Sequence, residues 1–302
     1  MTGLFGKPRA DDLPVAFRLL RTALKLSALV STNLTGHWVN RLWFRSQRSP
    51  EPAREKEWLA SAQSLTLAHR DRPLAVYRWG TGPTILLVHG WHGRGTQLGA
   101  FVAPLVAAGF RVVAFDAPAH GRTPGHATDL PEVSEALLQV AAAFPPLHGV
   151  IAHSFGAVCT LVAISRGLAP RRVVTLSAPA SIDFLMDSFA ARLTIPAAVM
   201  DVHRRLMELR FGADLWRQFS PTEIARGLDI PALLVHDKED HDVPWQESEA
   251  LARAWPGAAW VQTQGLGHRR ILRDPDVIAR VAAFLAESSP TPDTHASEKA
   301  LA

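Results

Sequence analysis

The chain has one cysteine, one tyrosine, and no unbroken apolar stretch long enough to span a membrane. The single cysteine, Cys159, excludes an intrachain disulfide, and its place in an apolar run reads as a packed core thiol. The first residues lack the apolar stretch and small-residue cleavage site of a signal peptide, so a cytoplasmic rather than a secreted protein is expected. The most apolar early segment, 23–43, is broken by Lys25, Asn33, His37, Asn40 and Arg41, which is too polar for a comfortable span. Strong net charge is also missing. The overall +4 is placed unevenly, with eight Lys or Arg against two Asp in residues 1–50 and a slightly acidic remainder. A basic end on a near-neutral globule differs from a basic stripe with interleaved aromatics, so nucleic acid is not an expected partner.

What the chain has is hydrophobic residues, 47% over 302 positions, enough for the core of one large domain with an insertion. Eight β-rich runs occur at 65–69, 74–79, 84–89, 111–116, 149–153, 172–177, 232–236 and 258–262. The first two are close enough for a hairpin, while the later ones are separated by helical stretches long enough for parallel crossovers. Runs such as ILLV and ALLV have the look of strands buried on both faces. The expected fold is α/β: an eight-stranded, mostly parallel sheet with helices on both faces, spanning 57–178 and 230–287. Between the sixth and seventh strands lie about fifty residues, too many for an ordinary crossover. Their large apolar groups at helical spacing, Phe184, Met186 and Phe189 among them, predict a helical lid over 179–229 that supplies an apolar substrate pocket.

Residues 1–56 read as a helical extension. Over 13–30, Leu13, Phe17, Leu20 and Leu24 form one stripe, flanked by Arg18, Arg21 and Lys25. The stripe can pack on the domain or lie in a membrane interface, where basic flanks suit anionic lipid. Packing is favoured, because the cluster Trp38, Leu42, Trp43 and Phe44 that follows is too apolar to stay exposed. Residues 288–302 lack apolar periodicity and read as a disordered tail.

The chemistry concentrates at the carboxyl ends of the strands. Ser154 follows the 149–153 strand, precedes a helix-forming run, and has Ala152 and Gly156 as its small neighbours. A serine on a tight strand-to-helix turn presents its hydroxyl at a helix N-terminus. His89, Gly90 and Trp91 end the third strand, Asp116 to Gly121 end the fourth, and D-x-x-V-P beginning at Asp240 follows the seventh. His268 lies in a glycine-flanked loop after the eighth strand. Together these pieces resemble the α/β-hydrolase superfamily over roughly residues 65–285, and its esterase-type members in the GW turn and the closing GHRRIL. Ala152 and Ala119 stand where that family more often has Gly.

The resemblance implies Ser154 as nucleophile, His268 as general base and Asp240 as the acid orienting it, with the backbone amides of Trp91 and Phe155 as the oxyanion hole. Asp237 and Asp242 are nearby competitors for the acid. His89, His120, His153 and His236, all at strand ends, read as structural. A metal site drawing on His89, His92 or His236 with Asp237 and Asp240 lacks the ligand spacing such sites use, so no metal and no organic cofactor is expected. The expected activity is hydrolysis of small-molecule carboxylic esters with short to medium apolar acyl chains. Thioesters or a carbon–carbon bond are alternative substrates for the same triad. A catalytically silent scaffold or membrane-surface protein is the alternative of another class.

Overall fold

Alternating apolar runs and helix-forming segments build one sheet wrapped by helices, in a computed structural model that describes residues 15–287. The strands are β1 (Gln63–His69), β2 (Arg72–Trp79), β3 (Thr84–Val88), β4 (Arg111–Phe115), β5 (Leu147–His153), β6 (Arg172–Leu176), β7 (Ala232–Asp237) and β8 (Ala259–Thr263). Their order across the sheet is β1-β2-β4-β3-β5-β6-β7-β8. Only β1 with β2 and β2 with β4 pair antiparallel; the remaining neighbours are parallel. The eight expected strands are therefore present, with the expected hairpin at the start. Every residue of β3, β6 and β7 is buried, as continuous apolar runs between two helical layers require.

The helices are α1 (Val15–Val30), α2 (Thr32–Trp43), α3 (Ala53–Ala60), α4 (Val102–Ala107), α5 (Leu130–Ala143), α6 (Phe155–Ser165), α7 (Ile182–Leu193), α8 (Ala197–Phe211), α9 (Leu215–Gln218), α10 (Pro221–Ala225), α11 (Trp245–Ala254), α12 (Gly267–Arg270) and α13 (Pro275–Ala286). One face of the sheet packs on α5, α6 and α11 through residues such as Leu137, Leu161 and Leu251. The other packs on α4 and α13 through Leu105, Val281 and Leu285. Local chemistry sets the helix starts. Asp129 accepts from the Glu132 amide with Pro131 in the first turn of α5, and Ser181 accepts from the Phe184 amide at the start of α7.

Four helices, α7 to α10, fill the long interval between β6 and β7. The N-terminal helices pack on this insertion: Leu24 and Val39 share a cluster with Leu193, Ile195 and Val199, and Phe17 and Leu20 pack against it. Gly36 lets α2 close on α8, since a Cβ there would meet Val202 Cγ1 at 2.3 Å. The stripe of Phe17, Leu20 and Leu24 thus packs inward, while Leu13 lies outside the described residues. The following cluster divides. Phe44 is buried and Leu42 and Trp43 half-buried, but Trp38 turns outward at 36% exposure because it sits on the side of α2 away from α8. The expected tail, 288–302, also lies outside the described residues.

Candidate active site

Ser154 lies between β5 and α6 with φ 53° and ψ −124°, a left-handed conformation that costs about 1–3 kcal/mol in a residue with a side chain. Two features hold it there. Its amide donates to Leu176 O at 2.9 Å, tying the turn to β6. Gly156 clears the way, because a Cβ at that position would lie 2.5 Å from His89 O and 2.7 Å from Val88 O, both backbone atoms that cannot yield. Ala152 is fully buried, and the turn keeps its shape with alanine at that position. The N-terminus of α6, with its amides and positive dipole end, begins at the residue after the serine.

His268 is the second residue of the short helix α12 after β8, and its Nδ1 lies 2.7 Å from Asp240 Oδ2. Asp240 is held in turn by its own loop, since its Oδ1 accepts from the amides of Asp242 at 2.9 Å and Val243 at 2.8 Å. Burial pushes this carboxyl up. Hydrogen bonds from His236 and His268, the charge of His268 and the Val243 amide outweigh that and hold it well below the usual carboxylate range. The residue before Ser154 ties the His268 loop to the β5 end: His153 Nε2 donates to His268 O at 3.0 Å, and the His153 and His268 imidazole rings lie 4.6 Å apart. Among the described residues no hydrogen bond joins the Ser154 hydroxyl to the His268 ring. Such bonds are commonly long without substrate.

The neighbouring aspartates make other contacts. Asp237 accepts four hydrogen bonds: from the amides of Glu239 and Gly267, from the Leu266 amide and from the Thr263 hydroxyl. It therefore shapes the loop that carries His268. Asp242 is exposed and meets Asp240 through its own amide. His236, fully buried, has Nδ1 2.6 Å from Ser248 Oγ, and its Nε2 lies 2.9 Å from Val243 O and 3.2 Å from Asp240 Oδ2. It braces the Asp240 carboxylate at Oδ2, the same oxygen that His268 contacts, a role its place four residues before Asp240 did not reveal. Ser248 Oγ donates onward to Ala178 O at 2.8 Å, and Glu247 accepts from the Ala180 amide at 2.8 Å, so the acid's loop is tied to the entrance of the insertion.

The residues named for oxyanion binding are neighbours. The Trp91 and Phe155 rings meet edge to face with centroids 5.1 Å apart. The turn bearing Trp91 is fixed by His89, whose Nδ1 donates to Gly90 O at 2.7 Å and whose Nε2 accepts from the Ala117 amide at 3.0 Å. Burial keeps that imidazole neutral, lowering it to about 4. Asp116 performs the matching task on the next turn. Its carboxylate accepts from the Gly95 and Arg122 amides and from the Tyr77 hydroxyl, each at 2.7 Å. His92, also in the candidate metal set, accepts from the Gln47 amide at 2.9 Å through Nδ1. Among the described residues no group of three or more His, Cys, Asp or Glu side chains is placed to hold a metal ion.

The expected pocket residues sit differently from one another. Met186 is buried in the main core, and Phe189 packs edge-on to Trp43 at 5.2 Å. Phe184 is half-buried in the first turn of α7. A cleft of about 320 Å³ between α7 and α8 is lined by Met186, Ala190 and Met200. Ser154 is not part of its wall.

The model of the alpha/beta hydrolase family matches residues 85–281, a span that runs from β3 through β8 and includes Trp91, Ser154, Phe155, Asp240 and His268. The chain belongs to the alpha/beta hydrolase family. It is a hydrolase, and the fold inferred from its motifs is the one observed. A pimeloyl-[acyl-carrier protein] methyl ester esterase of Aromatoleum aromaticum is 26% identical over 239 residues, covering 64% of this chain and 94% of the esterase. Two solved structures share the fold at lower identity. A putative lipase from Acinetobacter baumannii matches with a TM-score of 0.59 and 19% identity, over 77% of this chain and 93% of its own. A membrane phospholipase A matches with a TM-score of 0.60 and 17% identity, over 89% of this chain and 97% of its own.

Proposed function

We propose that this alpha/beta hydrolase cleaves carboxylic esters of short to medium apolar acyl chains through an acyl-enzyme on Ser154. The observation that carries the reading is the 2.7 Å contact of His268 Nδ1 with the buried Asp240 carboxylate, at the sheet edge where Ser154 is held in a left-handed turn. That contact fixes the proton on Nδ1 and leaves Nε2 as the base. Ser154 Oγ adds to the ester carbonyl while its proton passes to His268. The alcohol leaves with that proton, and water, deprotonated by the same imidazole, releases the acid. The Trp91 and Phe155 amides take the oxyanion, helped by the N-terminal end of α6. Side chains, backbone and water suffice for every step. The esterase relative supports an ester over a thioester or a carbon–carbon bond, since its name states a methyl ester of an acyl chain. A fluorophosphonate probe should label the native protein stoichiometrically at Ser154. A folded protein that takes up no label would instead be the catalytically silent scaffold.

In this reading α7 to α10 form the lid. The half-buried Phe184 is its candidate acyl contact, with Met186 and Phe189 behind it. Phe184→Ala should shift the preferred acyl length, read from kcat/KM across esters from acetyl to decanoyl, more than it changes acetyl ester turnover. Phe189→Ala should lower stability by about 2 kcal/mol, less than the roughly 3–5 of a fully buried ring, because it loses Trp43. Equal losses on every chain length with Phe184→Ala would make that ring packing rather than pocket.

A further inference from the structure

Helix α1 is apolar on two sides. The inward side, with Leu24 fully buried and Phe17 and Leu20 around it, is spent on the insertion. The opposite side carries Val15, Leu19, Leu26, Leu29 and Val30, which are 59–86% exposed. The apolar surface continues onto α2 at Leu34 and Trp38. Of the strongly exposed large apolar side chains among the described residues, all but Leu209 lie on these two helices. Scattered apolar residues on a surface are ordinary, whereas a concentration on one two-helix corner marks a place where something binds.

The charge around it names the class of partner. Residues 15–50 contain Arg18, Arg21, Lys25, Arg41, Arg45 and Arg48 and not a single Asp or Glu. Arg21 and Arg48 are committed to the fold, the first to Arg192 O and the second to Gly121 O, Thr123 O and Gly125 O. Arg18 and Lys25 flank the outward stripe of α1, and Arg41 shares the outward side of α2 with Leu34 and Trp38. All three are exposed, and among the described residues none of them makes a salt bridge. An apolar strip with a basic margin and no acid suits the boundary between acyl chains and anionic headgroups. With 16 residues in α1 and 12 in α2, the pair can lie on a bilayer, and no helix described here is long and apolar enough to cross one.

We propose that the outward face of α1 and α2 docks on an anionic lipid bilayer. The inward face of the same helices is seated on α7 and α8, and the segment that follows them reaches the rim of the site. There the Gln47 amide donates to His92 and Ser46 Oγ donates to Ala119 O at 2.6 Å. Docking therefore holds the insertion and the mouth above Ser154 close to the lipid. It is independent of the catalytic reading, and Ser154→Ala should bind as the wild type does.

The test uses the full chain in cosedimentation with vesicles of phosphatidylcholine, with and without phosphatidylglycerol. The protein should sediment with the phosphatidylglycerol vesicles, and binding should fall by about tenfold or more in 0.5 M salt or with phosphatidylcholine alone. The double variant Leu26→Glu with Leu29→Glu should lose about tenfold or more in binding while keeping its melting temperature and its turnover of a soluble ester. If that variant melts early, the charge reversal Arg18→Glu with Lys25→Glu replaces it and should lose the binding equally. A wild-type protein left in the supernatant overturns the proposal. So does binding that both double variants retain. Sedimentation velocity supplies the remaining outcome: a dimer of the wild type that Leu29→Glu splits would assign the face to a second copy of the chain instead.

Discussion

Ser154→Ala is expected to lower ester hydrolysis by about 10⁶ in kcat, and His268→Ala by a similar factor, with the fold and the melting temperature nearly unchanged. The size follows from the roles being inseparable. Without the hydroxyl no acyl-enzyme forms, and without the imidazole the hydroxyl keeps its proton and remains a poor nucleophile. What survives, roughly 10³–10⁴ over water, is the share of the oxyanion donors and substrate positioning. The double variant should therefore be no slower than either single one, and a multiplicative loss would argue that the two residues act in different steps. Stability should respond little. Ser154 makes no side-chain hydrogen bond among the described residues, and alanine in its place only removes an oxygen from a half-buried position. Removing His268 leaves Asp240 its hydrogen bonds from the Asp242 and Val243 amides and its neighbour His236. If Ser154→Ala keeps more than about a hundredth of the activity after contaminating esterases are excluded, Ser154 is not the nucleophile and the proposed reaction falls.

The fold was legible because its signals are local and repeated. Buried parallel strands read as apolar runs, and each of the turns at their carboxyl ends carries small residues that backbone crowding imposes, such as Gly156 under the carbonyls of Val88 and His89. The Asp240 and His268 pair was legible for a related reason: parallel strands deliver their ends to one edge, so residues after β7 and β8 become neighbours. What escaped depends on which side of an element turns to a partner. The stripe of Phe17, Leu20 and Leu24 gives the inward face of α1, yet Val15, Leu19, Leu26 and Leu29 make an equally good apolar stripe. Only the position of α8 decides between them. Trp38 misled for the same reason: an apolar cluster along the chain is split by the helix into buried and exposed members. The bracing of Asp240 by His236 was hidden as well, because a buried histidine near the end of a strand reads as structural from burial alone.

Three aspartates stand within six positions from the last residue of β7 onward, and their amides should separate them. Asp240→Asn is expected to cut kcat by about 10⁴ while the protein stays folded. The asparagine oxygen can still accept from the Asp242 and Val243 amides, so the loop keeps its form. The new NH₂ then faces His268 Nδ1 at the 2.7 Å position, where a donor now meets a donor. The ring relieves this by carrying its proton on Nε2, the atom that must accept from Ser154, and the base is lost without any movement of the chain. Asp237→Asn acts through structure. Both carboxylate oxygens there accept two donors each, and an amide turned toward Leu266 N and the Thr263 hydroxyl, or toward Gly267 N and Glu239 N, opposes one pair. A cost of about 1–3 kcal/mol per donor left buried and unpaired is expected, so this variant should show its loss first in the melting temperature. Any fall in activity would come from the displaced His268 loop. Asp242→Asn changes an exposed side chain and should leave both measurements where they were. Together, kcat and melting temperature for the three variants make a pattern that only one assignment satisfies. If Asp242→Asn abolished turnover while Asp240→Asn kept it, the acid would be Asp242, reaching His268 in a loop arrangement different from the one described.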